Sequence, residues 1–88
     1  MGTSEVVVYS TTYCGYCTRA KALLERRGIA FREVDVTHDP VMRDWLVQTT
    51  GRRTVPQIFI GGRPIGGFDE LAVLDRSGEL ARLVRTPD

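Results

Sequence analysis

The run Glu5-Val-Val-Val-Tyr9 constrains the fold of this chain more than any other segment. It has the length of one strand, is rich in β-branched and aromatic residues, and does not alternate in polarity. A continuous apolar strand of this kind is typical of a parallel sheet that is covered on both faces. Apolar residues at helical spacing predict a helix over 14–27, and a second strand follows over 31–36. Two strands joined through one helix predict a parallel βαβ unit.

The second helix has clear start and stop signals. Asp39 is a suitable N-cap, Pro40 fits the first helical position, and Gly51 ends the helix. Between these signals, four apolar residues predict the stripe that faces the core: Val41, Met42, Trp45 and Leu46.

The last third predicts a hairpin and two short helices. Pro64 cannot donate to a sheet ladder, so the second hairpin strand should lie at a sheet edge. Asp69 is the expected N-cap of the third helix. The predicted elements are a strand over 57–60, a Gly61-Gly62 turn, a strand over 63–65, and helices over 70–74 and 79–84. The chain is therefore predicted to be an α/β protein with the order β-α-β-α-β-β-α-α.

Length and composition predict one folded domain. The chain has 88 residues, too few for two domains, so we expect a single domain over 1–88 with an ordered core over about 5–84 and frayed residues at 86–88. No segment approaches the ~20 apolar residues of a membrane span. Twelve basic and eleven acidic residues leave a net charge of +1, which gives no broad surface for nucleic acid or anionic lipid. The acidic Glu5 and the short apolar run after it do not match a secretion signal.

The two cysteines, Cys14 and Cys17, lie where the first strand meets the first helix. A bridge between them closes a very small loop and stabilises the fold little, which favours a chemical role. Both sulfurs fall in the first helical turn, within disulfide reach. The helix amides and dipole face Cys14 most directly, which predicts a lowered thiol pKa and a nucleophile. Cys17, one turn inward, is the predicted resolving thiol.

Other interpretations of the cysteine pair have less support. Two structural buried cysteines are a common alternative. A zinc site needs four ligands, and His38 is the only histidine, which we expect in a solvated loop. A cysteine hydrolase would need that same histidine to orient Cys14. Thiol–disulfide redox chemistry requires only the two cysteines.

Three separated motifs carry a family resemblance. With Tyr13-Cys-Gly-Tyr-Cys17, Thr54-Val-Pro-Gln57 and Gly66-Gly-Phe-Asp69 in this order, the chain resembles a dithiol glutaredoxin, most closely the bacterial ones. The resemblance implies a thioredoxin fold with a four-stranded mixed sheet flanked by helices. It also implies a cytoplasmic glutathione-disulfide oxidoreductase that acts on protein–glutathione mixed disulfides and other disulfides, with glutathione as reductant.

The resemblance also implies how glutathione binds. The Val55–Pro56 bond is expected to be cis, so that the Val55 backbone pairs with the cysteinyl backbone of glutathione. The γ-glutamyl group is expected over 67–69, with Asp69 as the acceptor for its ammonium group. A basic residue at the end of the second helix should bind the glycyl carboxylate. The expected glutathione contacts are Tyr13, Gln48, Arg52, Arg53, Thr54, Val55, Pro56, Gly67, Phe68 and Asp69, and Tyr16 is expected to flank the pocket or pack the helix.

Two positions depart from the commoner family pattern. Thr11 stands where many glutaredoxins have lysine, so Arg19, Lys21, Arg52 or Arg53 would have to supply the missing positive charge near the nucleophile. Gly15 replaces the usual proline and leaves the first turn more adaptable.

Two alternative functions stay open at this stage. Some relatives with Cys-Gly-Tyr-Cys resemble carriers in which Cys14 of two copies and two glutathiones hold a 2Fe-2S cluster. In that case we expect a cluster-bridged dimer, and otherwise a monomer without metal. A redoxin reduced by thioredoxin reductase or another small thiol is the third possibility.

Overall fold

The computed structural model describes residues 2–86, which form a central mixed sheet between helices. The helices are α1 (Gly15–Arg26), α2 (Pro40–Thr50), α3 (Phe68–Ser77) and α4 (Glu79–Val84). The strands are β1 (Gly2–Thr3), β2 (Val6–Ser10), β3 (Arg32–Asp35), β4 (Gln57–Ile60), β5 (Arg63–Gly66) and β6 (Arg85–Thr86).

The main sheet has the strand order β3-β2-β4-β5. Strand β2 pairs with β3 in parallel and with β4 antiparallel, so Val8 lies between Glu33 and Ile58. Residues 6–9 of β2 are buried, as the apolar run predicted, and the strand extends one residue further to the buried Ser10. Strand β5 lies at the edge of the sheet, as Pro64 predicted, because a proline has no N–H to donate to a second neighbouring strand. This topology confirms the predicted α/β class and the four-stranded mixed sheet of the thioredoxin fold.

The alternation of side chains along β2 divides the core into two parts. On one face, Val6 and Val8 pack with buried residues of α1, α3 and α4. On the other face, Val7 and Tyr9 pack with Phe59 and with Leu46 of α2. Because β2 contributes to both clusters, its carboxyl end is held from two sides where α1 begins.

Helix α2 has the predicted ends but a narrower buried stripe. Asp39 accepts the N–H of Met42 at 3.0 Å, and Gly51 ends the helix with a φ of 74°. Only Leu46 is fully buried and Met42 is half-buried, whereas Val41 is 79% exposed. The prediction of four inward residues is therefore wrong for Val41, because a single helix covering this sheet face turns only a narrow stripe toward it.

The prediction that Trp45 belongs to the core is wrong, because the residue lies at the border of the core. Its ring stacks on Phe59 with a centroid distance of 5.5 Å and lies 5.7 Å from Tyr9, yet the residue is 43% exposed. One side of the indole packs on the sheet and the other side faces solvent.

The start of α3 differs from the prediction. The helix begins at Phe68 with Gly67 as N-cap, two residues before the expected N-cap at Asp69, and it extends to Ser77. The cause is Glu70, whose carboxylate accepts the N–H of Gly67 at 2.6 Å and so caps the first turn.

The chain ends pair with each other. Strand β1 pairs with β6, so Gly2 faces Thr86 and Thr3 faces Arg85. The fraying expected at 86–88 stays a prediction, and Pro87 and Asp88 lie outside the described residues. Two-residue strands are too short to produce a periodic signal in the sequence. Within residues 2–86, no helix is long and apolar enough to cross a membrane.

Candidate active site

The cysteine pair lies at the carboxyl end of the central strand, at the first turn of α1. Cys14 is the N-cap of α1, and a disulfide joins it to Cys17 with a Cα–Cα distance of 5.2 Å. The N–H of Cys17 donates to the Cys14 sulfur at 3.0 Å. The same backbone amide is therefore in place to stabilise a Cys14 thiolate in the reduced protein.

The two sulfurs have different surroundings. Cys17 is 1% exposed and lies on the core side of α1, whereas Cys14 is partly exposed. The first turn of α1 carries no acidic residue that would oppose a negative charge on Cys14. An external disulfide can therefore approach Cys14 more easily than Cys17.

Hydrogen bonds fix the loop that precedes Cys14. The N–H of Thr12 donates to the Thr37 hydroxyl at 2.8 Å, and the N–H of Thr37 donates to Asp35 at 2.8 Å. The hydrogen bonds from Thr37 lower the pKa of Asp35 from its ordinary value. These contacts tie the 11–13 loop to the end of β3 and so help to hold Cys14 in its capping position.

The Val55–Pro56 bond is cis, as the family resemblance implied. The Val55 carbonyl oxygen lies 3.6 Å from the Cys14 sulfur, a contact and not a hydrogen bond, because a disulfide sulfur carries no hydrogen. The side-chain amide Nε2 of the buried Gln57 donates to the Thr54 carbonyl at 2.8 Å and so holds the segment over 54–57. The side-chain amide oxygen Oε1 of Gln57 has no hydrogen-bond partner among residues 2–86.

A cleft of about 200 Å³ runs from the Val55 backbone to the start of α3. It brings together seven of the predicted glutathione contacts and two further residues. Its lining is Tyr16, Arg52, Thr54, Val55, Pro56, Gly67, Phe68, Asp69 and Glu70.

Glu70 lines the cleft but is not among the residues predicted from the sequence. Its carboxylate accepts from the Gly67 N–H at 2.6 Å and from Arg52 at 3.0 Å, and it thereby connects the two sides of the cleft. The Gly67 hydrogen bond, and then Arg52, lower the pKa of Glu70 from its ordinary value. The signal was present, because a glutamate three residues after a possible N-cap is half of a capping box.

Three predicted contacts lie outside this cleft. Tyr13 is 95% exposed beside Cys14, and Gln48 is exposed on α2. Arg53 lines a neighbouring depression together with Arg43. Among residues 2–86, none of these three side chains lines the cleft between Val55 and the start of α3, whereas Arg52 lines both that cleft and the depression.

The positive groups near the cysteine pair have different partners. Lys21 donates to Glu33 at 2.8 Å, and this contact lowers the pKa of Glu33, with a further contribution from the Ser10 hydroxyl. The Arg19 guanidinium carbon lies 5.4 Å from the ring centroid of Tyr16. In the described part of the chain, no three metal-binding side chains converge.

Comparisons with known proteins point to one family. The family model for glutaredoxin matches residues 6–65. The chain is 46% identical to a glutaredoxin of Pseudomonas aeruginosa over 90% of this chain and 94% of that protein. It is 42% identical to glutaredoxin 3 of Escherichia coli, over 93% and 99% of the two chains. A crystal structure of a buckwheat glutaredoxin–glutathione complex superposes with a TM-score of 0.86 at 38% identity, covering 92% of this chain and 76% of that one. A chain with this match and a disulfide-bonded Cys14–Cys17 pair belongs to the glutaredoxin family of thiol–disulfide oxidoreductases.

Proposed function

We propose that this protein reduces protein–glutathione mixed disulfides and other disulfides with glutathione as the reductant. The observation that carries the proposal is the position of Cys14, a partly exposed helix-capping sulfur at the Val55 end of the cleft, above a buried Cys17. The similar buckwheat protein was crystallised with glutathione, which supports glutathione as the ligand.

The cleft has the donors and acceptors that glutathione requires. The Val55 backbone pairs with the cysteinyl unit of the tripeptide in the manner of a short antiparallel strand. The γ-glutamyl carboxylate lies over 67–69, where the first-turn amides of α3 lack intrahelical partners, although Gly67 already donates to Glu70. Asp69 accepts from the ammonium group.

The glycyl end of glutathione extends from Val55 toward the end of α2, where a guanidinium fork suits its carboxylate. Arg53 lines the depression there, whereas Arg52 lines both spaces and its guanidinium is held by Glu70 beside Gly67. Thr54 and Pro56 shape the wall beside the sulfur. Gln48 on the outer side of α2 and the exposed Tyr13 contact the tripeptide only where it extends beyond the cleft.

The reaction is two successive thiol–disulfide exchanges. The Cys14 thiolate attacks the glutathione sulfur of the mixed disulfide, a Cys14–glutathione disulfide forms, and the client leaves as a thiolate that takes a proton from solvent. A second glutathione, as its thiolate, attacks the glutathione sulfur bound to Cys14. Glutathione disulfide leaves, and the Cys14 thiolate is regenerated.

Cys17 is needed only for disulfides within a client protein. There, Cys14 forms a mixed disulfide with the client, and the Cys17 thiolate attacks the Cys14 sulfur and expels the client. The resulting Cys14–Cys17 disulfide has the family range of reduction potential, about −200 to −230 mV.

A coupled assay with glutathione, glutathione reductase and NADPH tests the proposal. The substrate is a glutathionylated peptide, and the proteins are wild type, Cys14→Ser and Cys17→Ser. We expect wild type and Cys17→Ser to consume NADPH rapidly and Cys14→Ser to be inactive. Equal loss of activity in both variants would contradict the assigned roles.

The same preparation distinguishes the alternatives. A 2Fe-2S carrier, with the cluster as cargo held by Cys14 of two copies and two glutathiones, is the alternative that the Cys-Gly-Tyr-Cys sequence implies by family resemblance. It predicts a brown, air-sensitive dimer after anaerobic purification with glutathione, whereas the redox enzyme is a colourless monomer. Turnover with thioredoxin reductase in place of glutathione would favour the third possibility. For the redox role, the reducing cytoplasm is the expected compartment.

A further inference from the structure

A shallow depression of about 290 Å³ lies beside the cysteine pair, next to the cleft assigned to glutathione. It is lined by Gly15, Tyr16 and Arg19. Tyr16 borders both spaces, because its ring is 6.1 Å from that of Phe68 in the cleft and also lies under Arg19. A molecule bound in this depression would therefore lie close to Cys14 without occupying the glutathione cleft.

Arg19 presents its donors to this depression. Its guanidinium carbon lies over the Tyr16 ring, 5.4 Å from the ring centroid, and this cation–π contact occupies none of its N–H donors with a hydrogen-bond acceptor. With residues 2–86, the guanidinium forms no ion pair or hydrogen bond. By contrast, Lys21 is held by Glu33 and Arg52 by Glu70. Within the described part of the chain, Arg19 is thus a cation near the nucleophile without a carboxylate partner.

The surroundings of Arg19 favour an anionic partner of protein size. No acidic residue lies in the first turn of α1, so no side chain there opposes a bound carboxylate. Tyr13 and Tyr16, on either side of Cys14, are 95% and 57% exposed. Exposed tyrosines and arginines are the residue types that contribute most to protein interfaces.

We propose that the Gly15–Tyr16–Arg19 depression binds a carboxylate-bearing segment of the client protein, so that the enzyme prefers clients with Asp or Glu near the glutathionylated cysteine. The inference rests on the proposed function, because it concerns which glutathionylated proteins the enzyme reduces. Glutathione occupies the cleft at Val55, and the client chain extends past Gly15 toward Arg19. The bidentate fork of Arg19 then pairs with the client carboxylate.

Two glutathionylated peptides test this inference. They have the same sequence except that two Asp residues beside the cysteine in one are Asn in the other, so the glutathionyl group contributes equally to both. We expect wild type to have about a two- to fivefold higher kcat/KM for the Asp peptide at low ionic strength, the range for an exposed ion pair. Salt of about 0.5 M should remove most of this preference.

The variants Arg19→Gln and Arg26→Gln locate the effect. Both remove one exposed positive charge from α1, but Arg26 lies in its last turn, about 10 Å further along the helix than Arg19. Arg19→Gln should lower the ratio of the two kcat/KM values to about one, and Arg26→Gln should keep the wild-type ratio.

The outcomes separate the two proposals. Equal turnover of both peptides by wild type, or an unchanged ratio in Arg19→Gln, would overturn the client-binding inference and leave glutathione-dependent reduction intact. No turnover of either peptide by reduced wild type would overturn the proposed function, and the inference with it.

Discussion

Gly66→Ala should destabilise the protein, because the fold leaves no room for a side chain at this position. Gly66 has a φ of +115°, and a Cβ built there would lie 2.6 to 2.9 Å from the side chain of Glu70. The nearest Glu70 atoms include Cβ, which moves only with the helix backbone, so rotation of the carboxylate alone does not make room. The first turn of α3 must shift, and Glu70 must leave the Gly67 N–H and Arg52.

The structure gives the magnitude in two parts. A non-glycine residue in this backbone region costs about 1–3 kcal/mol. Loss of a hydrogen bond to a charged group adds about 1.5–3 kcal/mol, less here because the half-exposed Glu70 regains water. We expect a loss of about 2–4 kcal/mol in the free energy of unfolding, measured by urea denaturation. Gly28→Ala is the control, because Gly28 also has a positive φ but no atom within 4 Å of its Cβ position, and it should lose only about 1–2 kcal/mol.

The pH dependence gives a second readout of the same contact. The folded-state pKa of Glu70 is lowered, so its stabilisation is present above its ordinary pKa of 4.5 and is lost as the pH falls through the folded value. Gly66→Ala lacks this contribution at every pH, so its difference from wild type should narrow below pH 4.5. A loss no larger than that of Gly28→Ala, with the same value at neutral and acidic pH, would refute the reasoning.

Three further predictions concern other contacts. Arg27 holds the pKa of Asp75 below its ordinary value of 3.8, so the stabilisation is present above that pH and is lost as the pH falls through the folded value. Asp75→Asn should therefore lower the urea midpoint at neutral pH but not well below pH 3.8. An equal difference in midpoint from wild type at both pH values would contradict this prediction. Trp45→Ala should cost about 1–2 kcal/mol in unfolding free energy, because the ring is half-exposed. Phe59 is buried, so Phe59→Ala should cost about 3–5 kcal/mol. Equal losses for the two variants, measured by urea denaturation, would show that Trp45 belongs to the core. Asp69→Asn should raise the KM for glutathione several-fold with little change in kcat, with Asp75→Asn as the control, and an unchanged KM would remove Asp69 from the binding site.

The sequence predicts the central sheet well because a strand that is buried on both faces has a continuous apolar run in its sequence. The apolar run of β2 could belong only to a covered strand, and Pro64 could lie only at an edge. The ends of α2 were predictable for a similar reason, since Asp39 and Gly51 act through local backbone contacts.

The differences arise where contacts between distant segments decide the outcome. The start of α3 depends on Glu70, which meets Gly67 locally but also binds Arg52 from the loop after α2. The exposure of Trp45 depends on how much of the sheet α2 covers, which helical spacing does not specify. The cis bond at Val55–Pro56 was predictable from family resemblance and not from the physics of the segment.

The most direct test of the account is the covalent intermediate on Cys14. Reduced Cys17→Ser is mixed with glutathione disulfide, and intact-protein and peptide mass spectrometry locate the adduct. We expect one glutathionyl group on Cys14, removed by excess reduced glutathione, and no adduct on Cys17 in the matching Cys14→Ser protein. An adduct on Cys17 in Cys14→Ser, formed as fast as that on Cys14, would contradict the assignment of Cys14 as the nucleophile.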